Sequence, residues 1–262
     1  MIGRLLGPRA LFLAAIVAAL LGASRASAQT REDPIGGLKR THESSQNFAL
    51  ELRVGAFRPD VDSDPDLHGS APFESAFGSG PTIYFGAEFD WQAYRIPHVG
   101  TIGPGLGAGY VNFSAAAKFT NPASGASAVS GENTTLEIFP FYGVIVFRAD
   151  AIWRELHVPL IPYAKVGIGY ALWRASTTLG TASYQGVSGL GHSIGSHVAA
   201  GMALALNPFD DYAAKTFDDA AGVNTTSIFA EWTREDLNGL GFQNHPLRVG
   251  GTSWTFGFVF EF

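Results

Sequence analysis

Gly191-His192-Ser193-Ile194-Gly195 spells the G-x-S-x-G pattern of a nucleophile elbow, in which a serine sits on a strained turn between a strand and a helix. Asp236 and His245 follow in the order that an acid and a base for such a serine take. The apolar row from Val198 to Leu206 can be read as the helix after the turn. Against this, Tyr184-Gln185-Gly186-Val187-Ser188-Gly189 is too broken by glycine to be the buried strand before it. A chain with 32 glycines in 262 residues also produces such a five-residue pattern readily by chance. The same serine has a second use, with His197 as its base and Glu231 orienting that histidine. The competing reading is a hydrogen-bonded interior histidine and a serine in a loop.

A second set of polar residues is spread along the chain: Glu51, Arg53, Glu88, Asp90, Glu137, Lys165 and Glu231. Each falls in a segment where polar and apolar residues alternate, so each belongs to the polar face of a strand. Brought together inside a closed sheet, they form a charge network with more acids than bases. Two functions follow. The network is a salt-bridged plug, or Arg53 and Lys165 exchange partners among Glu88, Glu137 and Glu231 to open a narrow, cation-preferring pore. The plug is favoured, because an eight-stranded lumen is nearly filled by side chains. No metal site or cofactor is read. Asp60, Asp62, Asp64 and Asp66 alternate without the glycine and closing glutamate of a calcium loop, and read as a solvated acidic loop.

The elements that must position these residues are strands. In residues 48–57, Phe48, Leu50, Leu52, Val54 and Ala56 share one face, and Ala49, Glu51, Arg53 and Gly55 share the other. From Thr82 onward, Ile83, Phe85, Ala87, Phe89 and Trp91 oppose Thr82, Tyr84, Gly86, Glu88, Asp90 and Gln92. A helix would mix the two sets around its circumference; a strand separates them. The same period predicts strands near 100–114, 135–148, 160–174, 192–206, 225–234 and 251–262. The segments with Gly103, Gly105, Gly107 and Gly109 and with Pro140 are less regular, and a proline inside a strand argues for an edge or a bulge. The count is eight. Long loops are expected at 58–80, 115–134, 175–191 and 235–250, and shorter turns at 94–99 and 149–159. The turn at 207–224 holds an acidic stretch, Pro208 to Ala221, that reads as a short helix at the base. Trp91, Tyr94, Tyr163 and Phe262 would form one aromatic girdle, and Tyr170, Trp173, Trp232 and Trp254 the other.

The ends set the compartment. Arg4 and Arg9 precede an apolar stretch from Ala10 to Leu21, and Ala26-Ser27-Ala28 supplies a small-residue cleavage site, so residues 1–28 read as a signal peptide. Residues 29–46 are polar and aperiodic and read as a periplasmic tail, and 47–262 as one barrel domain. The chain carries −6; without the three arginines of the signal, 14 basic residues face 23 acidic ones, a balance of −9. An acidic surface argues against a nucleic-acid partner. Cysteine is absent, which removes disulfides and thiol chemistry. Aromatic content is high (13%) and charge low (15%), a balance that suits strands touching lipid.

Thr255-Phe256-Gly257-Phe258-Val259-Phe260-Glu261-Phe262 closes the chain on an aromatic residue. Its polar-x-Gly-x-x-aromatic-x-aromatic form, carried by Gly257, Phe260 and Phe262, resembles the terminal sorting signal of bacterial outer-membrane β-barrel proteins. Strand number, girdles and this terminus together make residues 47–262 similar to small barrels of the OmpA/OmpX type, with no peptidoglycan-binding domain. The resemblance implies an all-β fold: a closed antiparallel transmembrane barrel of about eight strands in the outer membrane. It also implies a monomer in contact with the lipid bilayer and lipopolysaccharide, inserted by the barrel-assembly machinery through its last strand. The expected role is structural or surface interaction through the loops. A narrow pore is the alternative, and a rim-site lipid hydrolase using Ser193 and His197 is the third reading.

Overall fold

The computed structural model describes residues 47–120, 127–184, 186–243 and 246–262. The expected signal peptide (1–28), the expected tail (29–46) and His245 lie outside the described residues, as does 121–126 within the loop expected at 115–134.

Eight long strands carry the fold: β1 Phe48–Phe57, β2 Thr82–Trp91, β3 Gly100–Thr120, β4 Ser127–Arg148, β5 Leu160–Thr177, β6 Leu190–Ala205, β7 Thr225–Asp236 and β8 Gly251–Glu261. Every neighbouring pair is antiparallel in the order β6-β7-β8-β1-β2-β3-β4-β5, and β5 pairs back onto β6, so the sheet closes into a barrel with no free edge. A short strand, Tyr94–Ile96, prolongs the β2 side of β3. The alternation of the sequence becomes an inside and an outside. On β2, Tyr84, Glu88 and Asp90 are buried in the lumen while Ile83, Phe85, Phe89 and Trp91 are exposed on the wall. Exposed aliphatic and aromatic side chains continue around the wall, from Val54 on β1 through Leu106, Ile145, Val166, Val198 and Ile228 to Phe256 and Phe258 on β8. Apolar surface on this scale requires lipid rather than water around it. Ten-residue strands such as β1 and β2, at ~3.4 Å per residue and tilted ~40°, rise roughly 25 Å, the height of the apolar band of such barrels.

The β1–β2, β3–β4, β5–β6 and β7–β8 connections are at one end (the loop end), and the β2–β3, β4–β5 and β6–β7 connections lie with Phe262 at the other (the terminal end). The last of these, 206–224, is longer than 178–189 or 237–250 at the loop end. At the terminal end, the Asn47 and Phe48 amides donate to the Phe262 carbonyl and the Phe262 amide donates to Phe48, which joins β8 to β1 up to the last residue. Three helices lie in the connections between strands: α1 Pro72–Phe77, α2 Ala151–Leu156 and α3 Asp211–Ala221. The last of these falls in the stretch expected to be helical.

Several expectations need correction. The region 115–134 is not a simple loop, because β3 runs on to Thr120 and β4 begins at Ser127, pairing as a ribbon beyond the loop end. The bulge lies there, between Ala116 and Lys118, and not at Pro140. Pro140 sits in a central strand with the register unchanged on either side, Ala108 opposite Phe141 and Val111 opposite Ile138. The irregular glycine row of β3 has a steric cause: a Cβ at Gly107 would enter the Tyr142 ring, and one at Gly109 the Tyr84 ring. Two girdle residues are misplaced. Tyr163 is 4% exposed within the lumen, and Trp173 packs against the lumenal apolar cluster; each shares the inward row of β5 with Lys165.

Candidate functional site

The middle of the lumen is an ionic layer built by five strands. β1 brings Glu51 and Arg53, β2 brings Glu88 and Asp90, and β4, β5 and β7 contribute Arg148, Lys165 and Glu231. Lys165 Nζ lies 2.7 Å from Glu51, 2.8 Å from Glu88 and 2.9 Å from Glu231, and all four side chains are wholly buried. Arg53 forks between Glu88 and Glu231, each at 2.6 Å, and also meets Glu51. Arg148 holds Asp90 at 2.6 Å and reaches Glu51 as well. Neutral donors complete the carboxylates: the Tyr142 hydroxyl donates to Glu88 (2.8 Å) and Thr233 to Glu231 (3.1 Å). Isolated buried charges are prohibitively costly, and a layer in which each carboxylate meets a cation avoids that cost.

Arg148 is the member that sequence reasoning missed, and Glu137 is the one it misplaced. On β4 the inward row is Leu136, Ile138, Pro140, Tyr142, Val144, Val146 and Arg148. Glu137 therefore projects outward, where it accepts from the Tyr110 hydroxyl at 3.1 Å and lies across the strand from Arg174. It cannot exchange partners with Arg53 or Lys165. Glu51, Glu88 and Asp90 bring carboxylate oxygens within 4.8 Å of one another. Three protein cations already occupy those oxygens.

Apolar layers flank the charges. On the terminal side Ala49, Ile161, Ala203, Ala205, Phe229 and Val259 pack together. At the loop end Phe57, Val111, Phe113, Ile138, Leu237 and Val249 form a second cluster, into which α1 inserts Phe73 from the 58–80 connection. Phe73 meets Phe113 edge-on at 5.0 Å. The acidic run of that connection serves the same cap: Asp62 accepts from the Phe73 and Glu74 amides, and Asp60 pairs with Arg234 at 2.6 Å. Between the loop-end cluster and the charges lies a cavity of about 20 Å³ lined by Arg53, Tyr84, His197, Glu235 and Thr255. Arg53 Nε, His197 Nε2 and Thr255 Oγ1 are buried beside it without a protein partner, and one water meets such a need.

Neither serine arrangement is assembled. The G-x-S-x-G residues lie within β6, in unbroken pairing with β5, so no strand–turn–helix exists there. Ser193 is fully buried and donates to the Leu247 carbonyl at 2.6 Å. His197 shares its face four residues on, roughly 13 Å away along an extended strand. Its Nδ1 pairs with Glu235 at 2.9 Å rather than with Glu231, and its ring stacks on Tyr142 at 4.1 Å. At the C-terminus, Phe258 and Phe260 stack on the lipid-facing wall (6.4 Å), while Gly257 faces inward where a Cβ would strike the Leu52 carbonyl.

The closed pairing, apolar wall and ionic interior define an integral membrane β-barrel of the outer-membrane type. No family model matches the chain. No curated protein matches it. Solved structures with similar shape include the attachment invasion locus protein Ail of Yersinia pestis, at 12% identity and a TM-score of 0.38, covering 83% of this chain and 97% of that one. The outer membrane protein OprG from Pseudomonas aeruginosa gives a TM-score of 0.45 at 12% identity, covering 83% and 96%. The outer membrane enzyme PagL gives 0.39 at 18% identity, covering 80% and 97%. The assignment of this chain as a barrel follows from its own strand pairing.

Proposed function

We propose that this barrel is a sealed scaffold that holds its loops and the β3–β4 ribbon at the cell surface for interaction. The observation that carries the reading is the stacking of an ion-paired layer between two apolar layers, which supports a filled rather than a water-filled lumen. Reconstitution into planar bilayers tests it: silence across a range of voltages is expected. Steady cation-selective steps would overturn it in favour of the narrow pore.

The reading holds no catalytic step. Ser193 and His197 serve separate contacts, and substituting Ser193 by alanine is expected to leave any lipid deacylation measured in micelles unchanged. A bilayer with lipopolysaccharide outside, a monomeric state and insertion by the barrel-assembly machinery through β8 belong to the same reading. The outward Phe258 and Phe260 and the pairing of the last residues with β1 support it.

A further inference from the structure

A large concavity of the barrel is on its outer wall. A groove of about 1070 Å³ crosses the lipid face from Leu50 on β1 to His192 on β6. Its floor is made by small outward residues: Ala87 lies beside Ala108 in the register of β2 and β3, and Gly143 lies beside Leu106 in that of β3 and β4. Phe141 and Tyr170, paired across β4 and β5, stand higher and border it. Its walls are otherwise apolar until the loop end, where Arg174 and His192 enter the lining. His192 stacks on Tyr170 at 5.6 Å, and Arg174 Nε is buried without a protein partner. The Glu137 carboxylate across the strand accepts from Tyr110, so one acid and two basic side chains stand at this mouth.

The dimensions select among occupants. The lining follows the wall across several neighbouring strands, and the six steps from Ile168 to Arg174 make it roughly 20 Å long. A single chain would leave most of that floor uncovered, whereas several side by side fill it. A guanidinium where the apolar wall ends suits a phosphate, which it grips through a planar fork of donors.

We propose that this groove docks a phosphorylated, multiply acylated glycolipid of the outer leaflet, with its acyl chains over Ala87, Ala108 and Gly143 and its phosphate at Arg174. The proposal rests on the loop end facing outward in the scaffold reading, but its readout is independent of conductance. Gly143 gives a clean probe, because an added Cβ meets only Leu106 Cδ2, at an ordinary 3.5 Å.

The test is native mass spectrometry and titration of the full chain in detergent, using bis-phosphorylated lipid A and its dephosphorylated form. One phosphorylated molecule is expected to remain bound, with the dephosphorylated form, Arg174→Gln and Gly143→Leu each weakening retention about tenfold. Ala200→Leu, on the wall away from the groove, should leave it unchanged. Equal retention of both lipids overturns the phosphate contact. Retention indifferent to both groove variants overturns the site, and no retained lipid overturns the proposal as a whole. Heat-dependent migration of each variant on gels shows that the barrel itself has formed.

Discussion

Lys165 Nζ lies 2.7 Å from Glu51 Oε2 although 114 positions separate the two residues. Glu51 also receives Arg53 and Arg148, so one carboxylate ties together β1, β4 and β5. The ammonium of Lys165 is likewise shared with Glu88 on β2 and Glu231 on β7. This pair is the hub of the lumen.

Replacing Lys165 by methionine is expected to destabilise the barrel by about 3–5 kcal/mol, because it strands carboxylates that are fully buried. Urea unfolding in detergent, followed by tryptophan fluorescence, measures it. Adding Glu231→Gln should recover part of the loss, since fewer carboxylates then remain without a counter-charge.

Glu137 provides the contrast. Glu137→Gln is expected to change stability by no more than about 0.5 kcal/mol, as for a surface site, while Glu88→Gln, inside the ionic layer, costs several times that. Equal effects in the same unfolding assay would place Glu137 among the lumenal charges after all.

Gly107 and Gly143 predict opposite responses to a side chain. Gly107→Ala drives a methyl into the Tyr142 ring and is expected to cost about 1–3 kcal/mol by overpacking. Gly143→Ala faces open wall and should cost almost nothing. Thermal unfolding midpoints of the two variants decide.

Phe73 anchors the loop-end cap. Phe73→Ala should cost the cap about 3–5 kcal/mol of packing and expose the 58–80 connection to limited proteolysis, with the strands left protected. Cleavage within β1 or β2 instead would mean that the cap supports the wall itself.

The strands were legible because their two faces differ. In 82–91 one row is Ile83, Phe85, Ala87, Phe89 and Trp91, and the other carries Glu88 and Asp90, so inside and outside separate by inspection. β4 has no such contrast: Leu136, Ile138, Val144 and Val146 face inward while Phe139, Phe141, Ile145 and Phe147 face outward. The inward row there is apolar because it packs into the lumenal clusters. Glu137 and Arg148 lie on opposite rows of the strand, so a register that puts Glu137 inside leaves no place there for Arg148. Tyr163 and Trp173 match a girdle pattern in the sequence because aromatic rings suit both a membrane boundary and a packed lumen. The cap by Phe73 left no periodic trace, since it depends on a six-residue helix in an otherwise irregular connection.

The dispersal of the ionic layer over β1, β2, β4, β5 and β7 bears on biogenesis. A half-inserted intermediate would carry naked carboxylates and guanidinium groups into hydrocarbon, so zipping of the first strand onto the last and neutralisation of the interior must happen as one cooperative event. Membrane entry is thereby coupled to the completeness of the ionic layer.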